Sequence, residues 1–192
     1  MTILIVNDST EECPEDFLQN WIGLLSNELF KKKLISEEQN KKELSVVFLD
    51  EKDAKRINWQ YRSKDYPTDV LSFETDDPDA IGELVMCPQV LKKQATDNKL
   101  TYENEITRMI VHGVLHLLGY DHELSPEADK KMMLLQEQIL TALEPAPKKR
   151  NLTLVKAPPA KAATKSKTVS KVKKATMPKK PQKKVISKKK KK

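Results

Sequence analysis

Residues 1–147 predict an α/β (α+β) domain in which one small mixed sheet of about four strands is covered by helices. Three observations carry that expectation. Short strand-like apolar runs are interspersed with longer segments of helical periodicity. Helix starts are signalled by Pro, Thr and Ser at suitable positions. Nearly all the large apolar residues fall before position 148.

The elements follow in chain order. Residues 3–6 form a short apolar run that predicts a buried strand. Pro14 then opens a helix whose apolar positions Phe17, Leu18, Trp21, Leu24, Leu25 and Leu29 keep helical spacing. Ser45 to Leu49 reads as a second strand, and Asp50 as the N-cap of a helix running to about Tyr61. Two further strands, Thr68 to Phe73 and Ile81 to Cys87, flank the Asp- and Pro-rich turn at 75–79. Pro88 starts another helix. Thr101 is expected to cap the next one, with Glu103 and Glu105 complementing the positive end of its dipole. Ser125 and Pro126 form an N-cap and N1 pair for a last helix carrying Met132, Met133, Leu135, Ile139 and Leu143. Pro145 and Pro147 are expected to end the folded part.

The formal charge of +7 hides two opposite segments. Residues 148–192 hold 19 Lys and Arg with no Asp or Glu, a segment of +19, whereas residues 1–147 hold 16 basic and 28 acidic side chains, a net of −12. The tail has no aromatic residue and no glycine. Such a composition buries too little apolar surface to offset its ordering entropy, so disorder is expected from 148 to 192. Two cysteines, Cys13 and Cys87, make no disulfide framework, which suits a reducing compartment. The first residues have only four apolar positions in a row and no basic stretch before them, so no signal peptide is expected. No apolar run approaches bilayer-spanning length. A cytoplasmic protein without a membrane partner is the expectation.

All three histidines lie within positions 112–122, in His112-Gly-Val-Leu-His116-Leu-Leu-Gly-Tyr-Asp-His122. His112 and His116 are four apart, hence on one face of a helix about a turn from each other. Gly119 can take a positive φ, end the helix and let the chain double back, so that His122 returns as a third ligand. Three imidazoles and one open position describe a catalytic zinc site, with one Zn2+ per chain expected. The spacing is that of the metzincin proteases, except that their Glu after the first His is here Gly113. The ligand set is kept and the base for peptide hydrolysis is missing. Asp121 either accepts a bond from the free N–H of a ligand histidine or forms the turn.

Zinc held by three neutral imidazoles points to a hydrolase. Phosphodiester hydrolysis requires stabilisation of charge on non-bridging oxygens, for which a guanidinium is best suited. With Arg108 on the metal helix set aside, residues 1–147 offer Arg56 and Arg62. Arg62 sits at a helix-to-loop transition ahead of Lys64, a place where function is often held. It is the candidate catalytic residue, against the alternative of a solvated surface charge.

Three separated stretches carry a family resemblance: 112–122, Ile57 through Arg62 to Phe73, and Ile81-Gly82-Glu83-Leu84-Val85. Together they resemble the YbeY-type endoribonucleases, bacterial rRNA-maturation factors, over residues 1 to about 143. The resemblance implies a zinc-dependent, single-strand-specific endoribonuclease acting in 16S rRNA 3′-end maturation and ribosome quality control, with rRNA and the small ribosomal subunit as partners. By position His112, His116 and His122 match the family's metal ligands, and Arg62 matches its functional arginine, facing the metal across a cleft. Glu74 stands where the family usually has proline. The lysine-rich tail is absent from most members.

The tail is expected to attract RNA phosphates by counterion release without sequence preference, and with no aromatic residue it cannot stack on bases. A solubilising extension is the plainer alternative. A different class of function also fits: a non-catalytic, zinc-containing ribosome-associated factor whose metal is structural. Such a site would close its fourth position with another ligand. Cys13 and Cys87 lie far from the motif in sequence, so an open site is favoured.

Overall fold

The computed structural model describes residues 1–143, which hold four strands and five α-helices. The expected end at Pro145 and Pro147 and the 148–192 tail lie outside the described residues. The strands are β1 (Thr2–Asn7), β2 (Glu43–Phe48), β3 (Val70–Phe73) and β4 (Ala80–Met86). They form one mixed sheet in the order β1-β2-β4-β3, with β1–β2 and β2–β4 parallel and β3–β4 antiparallel. The helices are α1 (Glu15–Lys31), α2 (Glu51–Arg62), α3 (Pro88–Asn98), α4 (Tyr102–Leu117) and α5 (Pro126–Leu143). A mixed α/β fold with one small sheet is therefore what the sequence expected.

The alternation of side chains along the strands divides the core in two. Leu44, Val46 and Phe48 of β2, with Leu84 and Met86 of β4, point into the larger cluster, where α1, α4 and α5 bury Leu18, Leu25, Ile110, Val114, Met132 and Ile139. Leu71, Phe73 and Val85 face the other way, against Ile57 and Tyr61 of α2. Tyr61 and Phe73 meet edge to face with ring centroids 5.0 Å apart. Parallel strands need crossover connections, and α1 supplies the one between β1 and β2.

Local chemistry sets most boundaries. Thr101 Oγ1 accepts from the Asn104 N–H at 3.2 Å, and Ser125 Oγ accepts from the Ala128 N–H at 3.1 Å, so both expected caps form. Asp50 stands at the N-cap of α2 but makes no capping bond; its carboxylate accepts from Thr10 and Gln89 instead, joining three segments. The Asp69 carboxylate accepts from Thr68 Oγ1 and from the Val70 N–H, and β3 starts at Val70 rather than at Thr68. Within α1, Leu18, Trp21, Leu25 and Leu29 are buried as their spacing implied, and Ile22 joins them, whereas Phe17 and Leu24 stay exposed.

Helix α4 lies against β3 and β4, and Gly113 makes that approach possible. A Cβ at this position would sit 2.6 Å from Leu84 Cδ2 and 3.2 Å from Ser72 Oγ. The Ser72 hydroxyl donates to the Gly113 carbonyl at 3.3 Å, a weak side-chain bond between strand and helix. The position that carries the catalytic Glu of the metzincins is thus filled by the sheet. Gly113→Glu should destabilise the protein by about 3 kcal/mol or more, through overpacking and burial of an unpaired carboxylate. Chemical denaturation checks this, and a variant as stable as the parent would contradict the packing described.

Candidate functional site

The stretch after α4 closes on itself by backbone chemistry. The Gly119 N–H bonds the His116 carbonyl at 2.9 Å and the Tyr120 N–H bonds the Leu115 carbonyl at 3.0 Å, the paired bonds of a Schellman motif, with Gly119 at φ 87°. This C-cap reverses the chain. Asp121 Oδ1 then accepts from the Glu123 N–H at 2.8 Å, so of its two sequence roles the turn-forming one is seen. His122 comes back over the face of α4 that holds the other two histidines. The ring centroids of His122 lie 5.2 Å from those of both His112 and His116.

The three rings offer ligand atoms that all lie within 4.8 Å of one another. His112 Nε2 and His116 Nε2 are 3.2 Å apart. Bonds of about 2.0–2.1 Å to a tetrahedral zinc would set neighbouring nitrogens about 3.4 Å apart, so this pair fits a metal's edge. Gln136 of α5, itself buried, accepts from His112 Nδ1 at 2.9 Å. A neutral imidazole that donates from Nδ1 presents an unprotonated Nε2, the atom that faces His116. Burial lowers the pKa of His112, against the raising effect of the Gln136 bond. Burial, reinforced by the neighbouring histidines, pushes His116 down to about 4. Both effects favour the neutral form that a metal requires. The donor set therefore suits zinc.

The histidines line a cleft of about 470 Å³. Arg62, the last residue of α2, lines the same cleft, and its Nη2 donates to Glu123 Oε1 at 3.0 Å. All four residues singled out from the sequence are brought together here. Cys13 and Cys87 are free thiols that do not line it, and burial raises the pKa of both, Cys13 to about 11. Among the described residues no cysteine closes a fourth ligand position. Two participants escaped the sequence reading. Gln136 lies 24 residues from His112, on a helix whose polar positions give no hint of an inward one. Arg108 was set aside, yet it lines the cleft and is held by Glu105, which is 0% exposed. Glu105 does stand in the first turn of α4, but its carboxylate pairs with Arg108.

The model for the family described as "Endoribonuclease YbeY" matches residues 4–144. The endoribonuclease YbeY of Bdellovibrio bacteriovorus is 48% identical over 143 residues, covering 74% of this chain and 95% of that protein. That of Persephonella marina is 44% identical over 103 residues, covering 50% and 67%. The solution structure of a protein from Thermotoga maritima shares 31% identity and superposes with a TM-score of 0.53, covering 74% of this chain and 89% of that one.

The histidine environment sets a pH dependence for the metal-free protein. The folded-state values lie below the ordinary 6.5, so below pH 6.5 the unfolded chain binds protons that the folded one refuses until about 4 at His116. The stability contribution is intact above pH 6.5 and declines as pH falls toward 4. Thermal melts in chelator across this range should show the decline, and a His116→Asn variant should show a shallower one. Equal slopes in the two proteins would remove His116 from the titration.

Proposed function

The chain belongs to the endoribonuclease YbeY family, and on that premise we propose that it is a zinc-dependent, single-strand-specific endoribonuclease acting in 16S rRNA 3′-end maturation and ribosome quality control. One observation carries the reading: three histidines with converging ring nitrogens share a cleft with an arginine suited to phosphate. His112, His116 and His122 would hold the ion. When bound, zinc supplies Lewis acidity toward a phosphoryl oxygen and toward water.

The chain's own residues do the rest. Gln136 fixes the tautomer and ring orientation of His112, a supporting bond of the kind that tunes metal affinity. Arg62 binds non-bridging phosphate oxygens with its planar fork and stabilises the charge that grows on them during the displacement. Its partner Glu123 is half exposed, so the ion pair is weak in water and yields to a phosphate in the cleft. Gly113 leaves no room beside His112 for the Glu base of a peptidase. The +19 segment of residues 148–192 adds RNA affinity and on-rate without specificity, and the acidic remainder makes that addition worthwhile. No helix among the described residues is long and apolar enough to cross a membrane. The proposed work is cytoplasmic, with rRNA and the small ribosomal subunit as partners.

Elemental analysis of the purified protein should give one zinc per chain, and His116→Ala should lose it, because two imidazoles cannot enclose the ion. A His116→Ala protein that binds zinc as tightly as the parent would undo the ligand assignment.

Arg62→Ala should keep zinc and fold while cleavage of single-stranded RNA falls by about 10²–10³ in rate. Arg62→Lys should recover only part of that, since an ammonium lacks the fork. Rates measured under single-turnover conditions decide it, and a parent-like Ala variant would take Arg62 out of the mechanism.

A further inference from the structure

We propose that Arg108 is a second phosphate-binding residue of the cleft, holding the backbone of the single-stranded RNA next to the phosphodiester that is cut. The inference rests on the RNA-cutting reading of the site. It starts from the geometry of one ion pair. Arg108 Nε donates to Glu105 Oε2 at 2.9 Å and Arg108 Nη2 donates to Glu105 Oε1, a two-pronged pair one turn apart on α4. Glu105 is 0% exposed and Arg108 31%. The carboxylate is thus behind the guanidinium, and the cation stands between it and the cleft that Arg108 lines.

A pair built this way differs from a surface salt bridge. The guanidinium has five N–H donors, and Glu105 engages one edge. Among the described residues, the Nη1 edge has no hydrogen-bond partner. The buried carboxylate fixes the plane of the fork in advance, so little side-chain freedom is lost when an anion arrives. The hydrogen bond to Glu105 also raises the Arg108 pKa, although the group was already charged.

Position gives the ligand class. Arg108 and His112 are four residues apart on one helical face, and both line the cleft. An extended ligand lying along α4 would meet His112 and Arg108 in succession. A planar fork with a free edge suits phosphate oxygens better than a lone ammonium does. Of the other cations that line the cleft, Arg62 and Lys64, Arg62 is already paired across the cleft rim with Glu123, which is half exposed. The two arginines therefore divide the work. Arg62 acts on the phosphate that reacts, and Arg108 on its neighbour, which gains no charge in the reaction. A contact of equal strength in ground and transition states lowers KM and leaves kcat alone.

The test is made on the full chain. Arg108→Ala alone would strand a buried carboxylate and unfold the site, so the informative protein is the double variant Glu105→Gln with Arg108→Gln, a neutral pair that can still hydrogen-bond. Its melting behaviour and zinc content should match the parent. Binding to a short unstructured oligoribonucleotide is measured with chelator present, so the RNA stays whole and the result is independent of cleavage. Affinity should fall about tenfold, the worth of a hydrogen bond to a charged group. The slope of log affinity against log salt should become shallower by about 0.7, one phosphate contact on a single strand. In the zinc-loaded protein KM should rise by a similar factor with kcat kept, unlike Arg62→Ala. Glu105→Gln alone, which retains the guanidinium but holds it less firmly, should keep the parent's salt slope and lose less affinity than the double variant. An unchanged salt slope in the double variant, or an equal loss in Glu105→Gln alone, would overturn the assignment: the first by removing the phosphate contact, the second by making Arg108 a structural partner only.

Discussion

Helix α4 can lie flat on the sheet because residue 113 has no side chain, and the arrangement of the cleft follows from that contact. Leu84 fills the space that a Cβ would need, and Ser72 reaches the Gly113 carbonyl from β3. The helix is thereby fixed against the short antiparallel pair β3–β4, whose edge forms one wall of the cleft through Val70, Leu71 and Ser72. A rigid α4 then presents Arg108, His112 and His116 along a single face. Its C-terminal motif at Gly119 returns His122 to the same place. The three imidazoles come from a helix and the tight turn that ends it, an arrangement far stiffer than one drawn from several loops.

Charge is distributed in this domain by depth. His112 and His116 are buried enough to favour the neutral state, and the polar groups beside them are engaged: Gln136 accepts from His112, and Asp121 is occupied by the turn. Glu105 is wholly enclosed, but its bidentate arginine neutralises it, which is the condition under which a carboxylate tolerates burial. Arg62 and Glu123 lie further out, where solvent weakens their attraction and an incoming anion can replace one partner. The chain's large positive surplus lies in residues 148–192, after this acidic domain in the sequence.

Most of the fold was legible because it is written in local chemistry. Pro14, Pro88 and Pro126 mark helix starts, and Thr101 and Ser125 cap as their side chains suggest. One departure is a place where a polar side chain found a distant partner better than the nearby backbone. Asp50 left its cap to join Thr10 and Gln89. Periodicity marked the apolar stripe of α1 but could not tell that Phe17 and Leu24 lie at its exposed margins.

The sequence by itself determined the histidine triad, since a four-residue helical spacing followed by a glycine turn leaves little freedom in where the three rings go. It also determined the mixed sheet with its helical cover, and it marked Arg62 through motif resemblance rather than through spacing. Tertiary structure alone decided the rest. That Arg62 and the histidines line one cleft depends on how α2 and α4 pack around β3, and no local rule spans the 50 residues between 62 and 112. Gln136 and the Glu105–Arg108 pair were invisible for a related reason. A helical polar residue reads as solvated until the neighbour that buries it is known, and burial depends on contacts between segments that the sequence does not order in space.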